Sequence, residues 1–425
     1  MENIKLGLIG AGLRGNYTYA KYINKDIKEC RLVSVVEKRK GRRESISKEY
    51  NINDEHTYES IEAFLKEDKF VDGIIVASGE DRHYDHVNLL LEKGYDVLVE
   101  LPITNTLDRL IKIQKLSEIH SNKIIMSCNL LRYNKVVNKI KQILESKKLG
   151  NVISIEYNQN IGYKNYVHNY VRGNWRIDSD TSPLILNKSC QDIDIISYLL
   201  DSKCKKITSF GNLKHMNNKN FKLGMGDNCF QCDIEYKCPY SAKKIYIDSE
   251  NEIKYAVHIN PTKENLTKIL KQGPYGRCIY KCDNNVVDHM TNILVFENGV
   301  NATLNINGYT NDKDINIKVL FTEGELEASF FKEEILIKEF ISNKESIISV
   351  EIDTTIEKKS EISLLKNFIG RLKTKNDKEQ IRELIDSHIV AFAGEYSRVV
   401  EETINIKEFY KNAVEMTEQI EKVLL

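Results

Sequence analysis

The chain has 425 residues, more than one hydrophobic core usually organises, so at least two domains are expected. Lys+Arg and Asp+Glu each number 62, and the zero formal charge excludes a global field for nucleic acid or an anionic membrane, leaving a small ligand as the expected partner. No apolar run reaches membrane-spanning length, the start MENIKLGLIGAG lacks the regions of a secretory signal, and the nine cysteines, an odd number, read as reduced thiols; together these predict a cytoplasmic protein.

From Ile4 to about Cys128 the apolar runs LGLIG, RLVSVVE, GIIVAS, DVLVE and IIMSC alternate with amphipathic helical stretches. Such runs suit strands buried on both faces, so residues 1–130 are predicted to be an α/β Rossmann domain, a doubly wound parallel sheet. Gly10, Gly12 and Gly15 form G-A-G-L-R-G between the first strand and the helical YTYAKYI. In that context the glycines allow a tight turn, the approach of a pyrophosphate and close helix packing, and Leu13 and Arg14 inside the turn join them as candidate cofactor contacts. Glu37 ends the second strand, where an acid accepts hydrogen bonds from the adenosine ribose; this favours NAD. Lys38 and Arg39 follow it and suit a 2′-phosphate, so NADP stays as the alternative.

Beyond residue 130 the pattern changes. NVISIEYNQN alternates apolar and polar residues, and ILVFENG, NATLNING, INIKVLF, GELEASF and EILIKEF follow with Gly, Asn and Asp turn signals. Residues 131–425 are therefore predicted to be an α+β substrate and dimerisation domain with a mostly antiparallel sheet, closed by terminal helices over 361–425.

Several strings make the chain resemble the Gfo/Idh/MocA family of nicotinamide-dependent oxidoreductases, many of which act on sugars and cyclitols. IIVASGEDRHYDHVNLLLEKGYDVLVELP is similar to the family's third and fourth strands, with His83 in the usual histidine position and Glu100 and Pro102 framing its Glu-Lys-Pro triplet. A narrower resemblance, to a subgroup with a Cys-Pro-Tyr string, rests on Asn129–Tyr133, His168–Arg176, Lys188–Asp194, Cys238–Tyr240, Pro274–Cys278 and Ser387–Arg398. The resemblance implies cofactor contacts at Ala77, Ser78, His83, Glu100 and Asn129. It places Arg132, Tyr133, Arg172, Trp175 and Arg176 near the substrate; Asp194 and His289 are further candidate substrate contacts, and a homo-oligomer, a dimer or tetramer, is expected. The departures fall where chemistry is expected. Leu101 replaces the triplet lysine, Gln191 replaces a histidine, Asn129 replaces another, and residues 357–361 read Glu-Lys-Lys-Ser-Glu in place of a Gly-rich segment.

Oxidising an alcohol needs a base for the hydroxyl proton, and Leu101 and Gln191 cannot serve; glutamine can only orient. Lys188 is the remaining candidate, sharing a helix face with Gln191, Asp192 and Ile195, and desolvation would bring its pKa into a useful range. A structural Lys–Asp pair is the equal alternative. Trp175 suits stacking on a sugar or nicotinamide and equally suits a core, while His289 as an isolated histidine is more often structural. Cys229-x2-Cys232-x5-Cys238, with Cys278, is a candidate structural zinc site, although the pair Cys278-x3-Cys282 departs from a two-CxxC pattern and favours reduced thiols.

Three functions follow from this reading. The leading one is an NAD(P)-dependent oxidoreductase acting on a sugar or sugar derivative. The others are glycoside cleavage assisted by transient oxidation and a non-catalytic protein that binds cofactor or sugar.

Overall fold

The computed structural model describes residues 3–248, 253–350, 360–375 and 381–424; of the segment 357–361, residues 357–359 lie outside the described residues. The N-terminal sheet comprises β1 (Ile4–Ile9), β2 (Cys30–Val36), β3 (Thr57–Tyr58), β4 (Gly73–Val76), β5 (Asp96–Val99) and β6 (Ile125–Ser127), in the order β3-β2-β1-β4-β5-β6. All five pairings are parallel. The strands are nearly continuous Ile, Leu and Val because helices cover both faces, and β4 and β5 are buried at every position. Strand order reverses between β1 and β4, so the crevice for a ligand lies outside their carboxyl ends. The turn after β1 leads into a helix that begins as a π-type turn, Gly15–Ala20, and continues as an α-helix over Lys21–Asp26.

The second sheet has nine strands in the order β14-β13-β12-β11-β7-β10-β9-β8-β15. Its members are β7 (Val152–Asn160), β8 (Cys204–Asn212), β9 (His289–Phe296), β10 (Asn301–Asn307), β11 (Asp314–Phe321), β12 (Gly324–Ser329), β13 (Glu334–Glu339), β14 (Glu345–Ser349) and β15 (Ile404–Asn405). Only the central β7–β10 pair is parallel. Its inner face packs on the helix Leu184–Leu200, where Ile185, Ile193 and Ile196 are fully buried. On the outer face Phe210 and Ile293 are exposed, and Asn305 donates to Asn158 Oδ1 at 3.0 Å.

The terminal helices divide between the two sheets. The helix Ser360–Thr374 packs against the parallel sheet, its Leu365, Phe368 and Leu372 clustering with Leu6, Leu8 and Ile75. Gly73 of β4 makes room for it: a Cβ there would lie 2.8 Å from Leu372 and 3.0 Å from Phe368. The helix Ile381–Val400 spans the seam, with His388 Nε2 accepting from the Ile103 amide at 3.0 Å and Gly394 lying against Ile185 and Ile207. Among the described residues no helix is long and apolar enough to cross a membrane.

Candidate active site

The glycine turn has the geometry a dinucleotide requires. Gly10 adopts φ 95°, and a Cβ on it would stand 2.5 Å from the Ala77 carbonyl oxygen. A Cβ on Gly15 would collide with the Gly10 carbonyl, which is how the helix seats against the turn. Above Gly12 the space is open, with only Arg42 Nη1 at 3.9 Å from a Cβ position. These residues fit a pyrophosphate.

Glu37, 5% exposed, accepts from the Ala11 amide through Oε2 and from the Arg39 amide through Oε1, both at 2.9 Å, with Arg39 Nε at 3.2 Å. Burial alone would raise its pKa; the Arg39 and Ala11 amides and the Arg39 charge outweigh it and hold the carboxyl below its ordinary value. Arg14 reaches out of the turn to Glu100 at 2.7 Å, and the Tyr19 hydroxyl donates to the same oxygen at 2.5 Å. Burial opposes the Glu100 charge, but Arg14 and Tyr19 prevail and keep its pKa low. His83 is buried between the carbonyls of Pro102, 2.9 Å from Nδ1, and Ser78, 3.1 Å from Nε2, while Ser78 Oγ lies 3.0 Å from His86 Nδ1. Burial lowers the His83 pKa, and the neutral ring donates its single N–H to one of these two carbonyls.

A second set of contacts brings the helix Leu184–Leu200 to the carboxyl edge of the parallel sheet. Glu80 begins the helix after β4, and its buried carboxylate accepts from Ser182 Oγ at 2.7 Å and Asn187 Nδ2 at 3.0 Å, with a further hydrogen bond from Trp175. Burial raises its pKa, with the three donors working the other way. The Tyr170 hydroxyl completes the cluster by donating to Asn187 Oδ1 at 2.5 Å. The next residue is Lys188. Burial first, and the nearby Lys313 ammonium second, push its pKa down to about 8, against the pull of Asp192. Asp192 is fully buried, accepts from Tyr157 at 2.9 Å, and has its pKa raised by burial to about 6. Gln191 lies on the same helix and is partly exposed.

Other expected site residues are held elsewhere. Arg132 and Asp194 pair with each other, Nε to Oδ2 at 2.7 Å and Nη2 to Oδ1 at 2.8 Å, and Arg132 stacks 4.1 Å from the Tyr198 ring centroid. Asn129 Nδ2 donates to Asp194 Oδ2, the oxygen that also meets Arg132 Nε, and Tyr133 packs with the core beneath the parallel sheet. Arg176 forms a fork on Asp283 at 2.9 and 3.1 Å. His289 Nδ1 lies 2.7 Å from Asp288, a buried carboxylate that also accepts from the Lys214 and His215 amides and from Tyr309. Sequence reasoning missed Glu80, Arg42, Lys313 and Asp288. For Glu80 the visible signal was only an acid at a helix start.

The cysteines correct the zinc expectation. Cys229, Cys232, Cys238 and Cys278 line one small cavity with Arg172, yet among the described residues no three His, Cys, Asp or Glu side chains are arranged to hold a metal ion. Arg172 is 1% exposed and donates to Tyr240 O, Arg277 O and Cys229 Sγ, so a buried cation already faces the sulfurs. Burial raises the pKa of Cys238, and that of Cys278 to about 11. Arg172 thus organises the cysteine loop, not the crevice.

Comparison with known proteins agrees with the geometry. A model described as "Oxidoreductase family, NAD-binding Rossmann fold" matches residues 4–127, and the GFO/IDH/MocA C-terminal domain matches residues 137–327. The chain belongs to the Gfo/Idh/MocA family. It is similar to glucose-6-phosphate 3-dehydrogenase of Bacillus subtilis (strain 168), 28% identical over 203 residues, which is 47% of this chain and 54% of that protein. It is also similar to that organism's scyllo-inositol 2-dehydrogenase (NAD(+)), 22% identical over 216 residues, 50% of this chain and 58% of the other. The chain thus spans about half the length of the curated relatives it matches. Among solved structures, scyllo-inositol dehydrogenase from Lactobacillus casei with bound NAD(H) and scyllo-inositol superposes with a TM-score of 0.66 at 15% identity, covering 96% of this chain and 100% of that one. An oxidoreductase from Thermotoga maritima gives 0.69 at 14% identity, covering 96% and 100%. At such identities the structural likeness shows the fold.

Proposed function

We propose that this chain is an NAD(H)-dependent oxidoreductase of a sugar or cyclitol, with Lys188 as the base that takes the hydroxyl proton. The observation that carries the reading is a lysine with a pKa of about 8, on a helix that Glu80 and Asn187 tie to the carboxyl edge of the parallel sheet. Gly10, Gly12, Gly15 and Glu37 would hold the dinucleotide, which supplies a hydride acceptor when bound. Neutral Lys188 draws the proton from the hydroxyl as the carbon gives up its hydride, and burial together with Lys313 keeps the amine basic enough to accept and weak enough to release. Asp192, held by Tyr157, pulls the Lys188 pKa upward by its charge and so limits how far burial lowers it. Trp175, anchored through Glu80, offers an aromatic face to the substrate. A homo-oligomer formed through the outer sheet face belongs to the same reading, and a monomer by sedimentation velocity at micromolar concentration would remove it.

The test is to mix purified protein with NAD and a panel of sugars, cyclitols, their phosphates and glycosides, following the reduced-nicotinamide absorbance and product release together. Reduction with a member of the panel supports the reading. Glycoside cleavage without net reduction, or tight cofactor binding with no turnover anywhere, overturns it.

A further inference from the structure

Arg172 ends the helical turn Val167–Arg172 and is 1% exposed, yet among the described residues no carboxylate pairs with it. Its Nε donates to Arg277 O and its Nη2 to Tyr240 O, both at 2.8 Å, and Nη2 also reaches Cys229 Sγ at 3.5 Å. Nη1 is buried and, among the described residues, has no hydrogen-bond partner. A buried cation without an anion, and with one donor unused, is destabilising until negative charge or an acceptor arrives beside it. Tyr246 next to it does not supply that charge, because burial raises the phenol pKa. Glu235 is occupied, its carboxylate accepting from Ser241 and Lys243.

Arg172 lines a space of about 20 Å³ together with Cys229, Cys232, Cys238 and Cys278, enough room for one water-sized group. Cys229 differs from the other three in what meets its sulfur. Arg172 Nη2 and the Ala242 amide both donate to it, the amide at 3.4 Å. Two donors, one of them charged, stabilise the negative charge a sulfur needs when it acts as a nucleophile. Cys238 and Cys278 are made poorer nucleophiles by burial, which raises both pKa values. Cys232 and Cys238 are only partly buried, which leaves a small molecule a way in.

We propose that Cys229 is a site of oxidation by hydrogen peroxide, held beside Arg172 so that the oxygen of the sulfenic acid formed there enters the cavity and accepts from Nη1. In the reaction the sulfur attacks one peroxide oxygen, and an S–O bond forms as the O–O bond breaks. Sulfur gives up two electrons to the peroxide, and the thiol proton leaves with the other oxygen, so one thiol and one peroxide yield one sulfenic acid and one water. The added oxygen matches the empty space in size, and as an acceptor it supplies what Nη1 lacks. A neighbouring thiol of the cavity can then attack the oxidised sulfur, forming a disulfide as the S–O bond breaks and a second water leaves. The site is independent of the crevice and of the dinucleotide.

The test exposes the full, folded chain to hydrogen peroxide for increasing times, then quenches it in urea with dimedone, which traps sulfenic acids, and maps all nine cysteines by peptide mass. The expected result is that Cys229 is the first sulfur oxidised, as a dimedone adduct or in a disulfide to a cavity neighbour, although Cys232, Cys238 and Cys282 are more exposed. Cys229→Ser should slow oxidation of the remaining cavity thiols about tenfold. Arg172→Lys keeps the charge and loses the planar fork, and should slow oxidation of Cys229 about tenfold, the worth of one charge-assisted hydrogen bond. Oxidation that follows exposure and leaves Cys229 reduced overturns the proposal. So does protection of all four cavity thiols, as a bound metal ion would give, and so does an unchanged rate in either variant. Should a variant not fold by circular dichroism, the order of oxidation in the unmodified protein decides alone.

Discussion

Among single residues, Lys188 carries the proposed proton transfer. Replacing it with Met should lower turnover by about 10²-fold or more, the usual contribution of a positioned base, while cofactor affinity by titration stays within about twofold. Because its pKa is depressed to about 8, the neutral fraction grows as pH rises toward and past that value, so turnover should climb through pH 7–9 and then level off. The groups that set this midpoint are Lys313 from the loop before β11 and Asp192 and Cys190 from its own helix. A flat profile over that range would remove Lys188 from the proton transfer. Glu80 acts through others: Glu80→Ala leaves the donors of Ser182, Asn187 and Trp175 without their acceptor and should cost about 1–3 kcal/mol in urea unfolding. Lys188 is a candidate from the sequence, through helix spacing and through Leu101 and Gln191 standing where reactive groups were expected, and the structure adds its burial and lowered pKa. Glu80 was not such a candidate, because its donors come from residues 102 and 107 positions away. The arginines mislead for a related reason: composition shows a guanidinium, but only the fold shows that Arg132, Arg172 and Arg176 already have Asp194, backbone carbonyls and Asp283.

At the scale of elements, both sheet types and most of their strands follow from hydrophobic patterning. The strands that escaped have weak patterns. β3 and β15 are two residues each, β14 alternates among residues that stay largely exposed, and β8 begins Cys-Lys-Lys with a register shift after Cys204. Period alone also could not say that Ser360–Thr374 would join the parallel sheet, since an amphipathic helix fits any apolar face of the right width. Gly73 supplies the reason, being the one residue in β4 small enough to admit Phe368 and Leu372. Phe368→Ala should therefore cost about 3–5 kcal/mol in stability and loosen dinucleotide binding with it. A cost under about 1 kcal/mol would show that the helix is not part of that core.

At the scale of the whole molecule, buried histidines make stability depend on acid. His86, His168 and His388 all have pKa values lowered to about 4, with burial as the main cause. In the unfolded chain they titrate at about 6.5, so between the two values the unfolded state binds more protons and stability falls as pH drops. Asp192 and Glu80, with raised pKa values, act in the opposite sense below about pH 6, but three histidines outweigh two carboxyls. The melting temperature should fall steadily from pH 7 to pH 5, and a constant or rising value would contradict this balance.

Oxidation of an alcohol with Lys188 as the base can be checked in a single comparison. Reduced-nicotinamide absorbance is followed for the unmodified protein and for Lys188→Met, each with NAD and the same panel of sugars and cyclitols. The expected result is reduction by the unmodified protein with at least one panel member and none by the variant at matched cofactor occupancy. Equal turnover by both proteins, or no reduction by either while NAD remains bound, would contradict it.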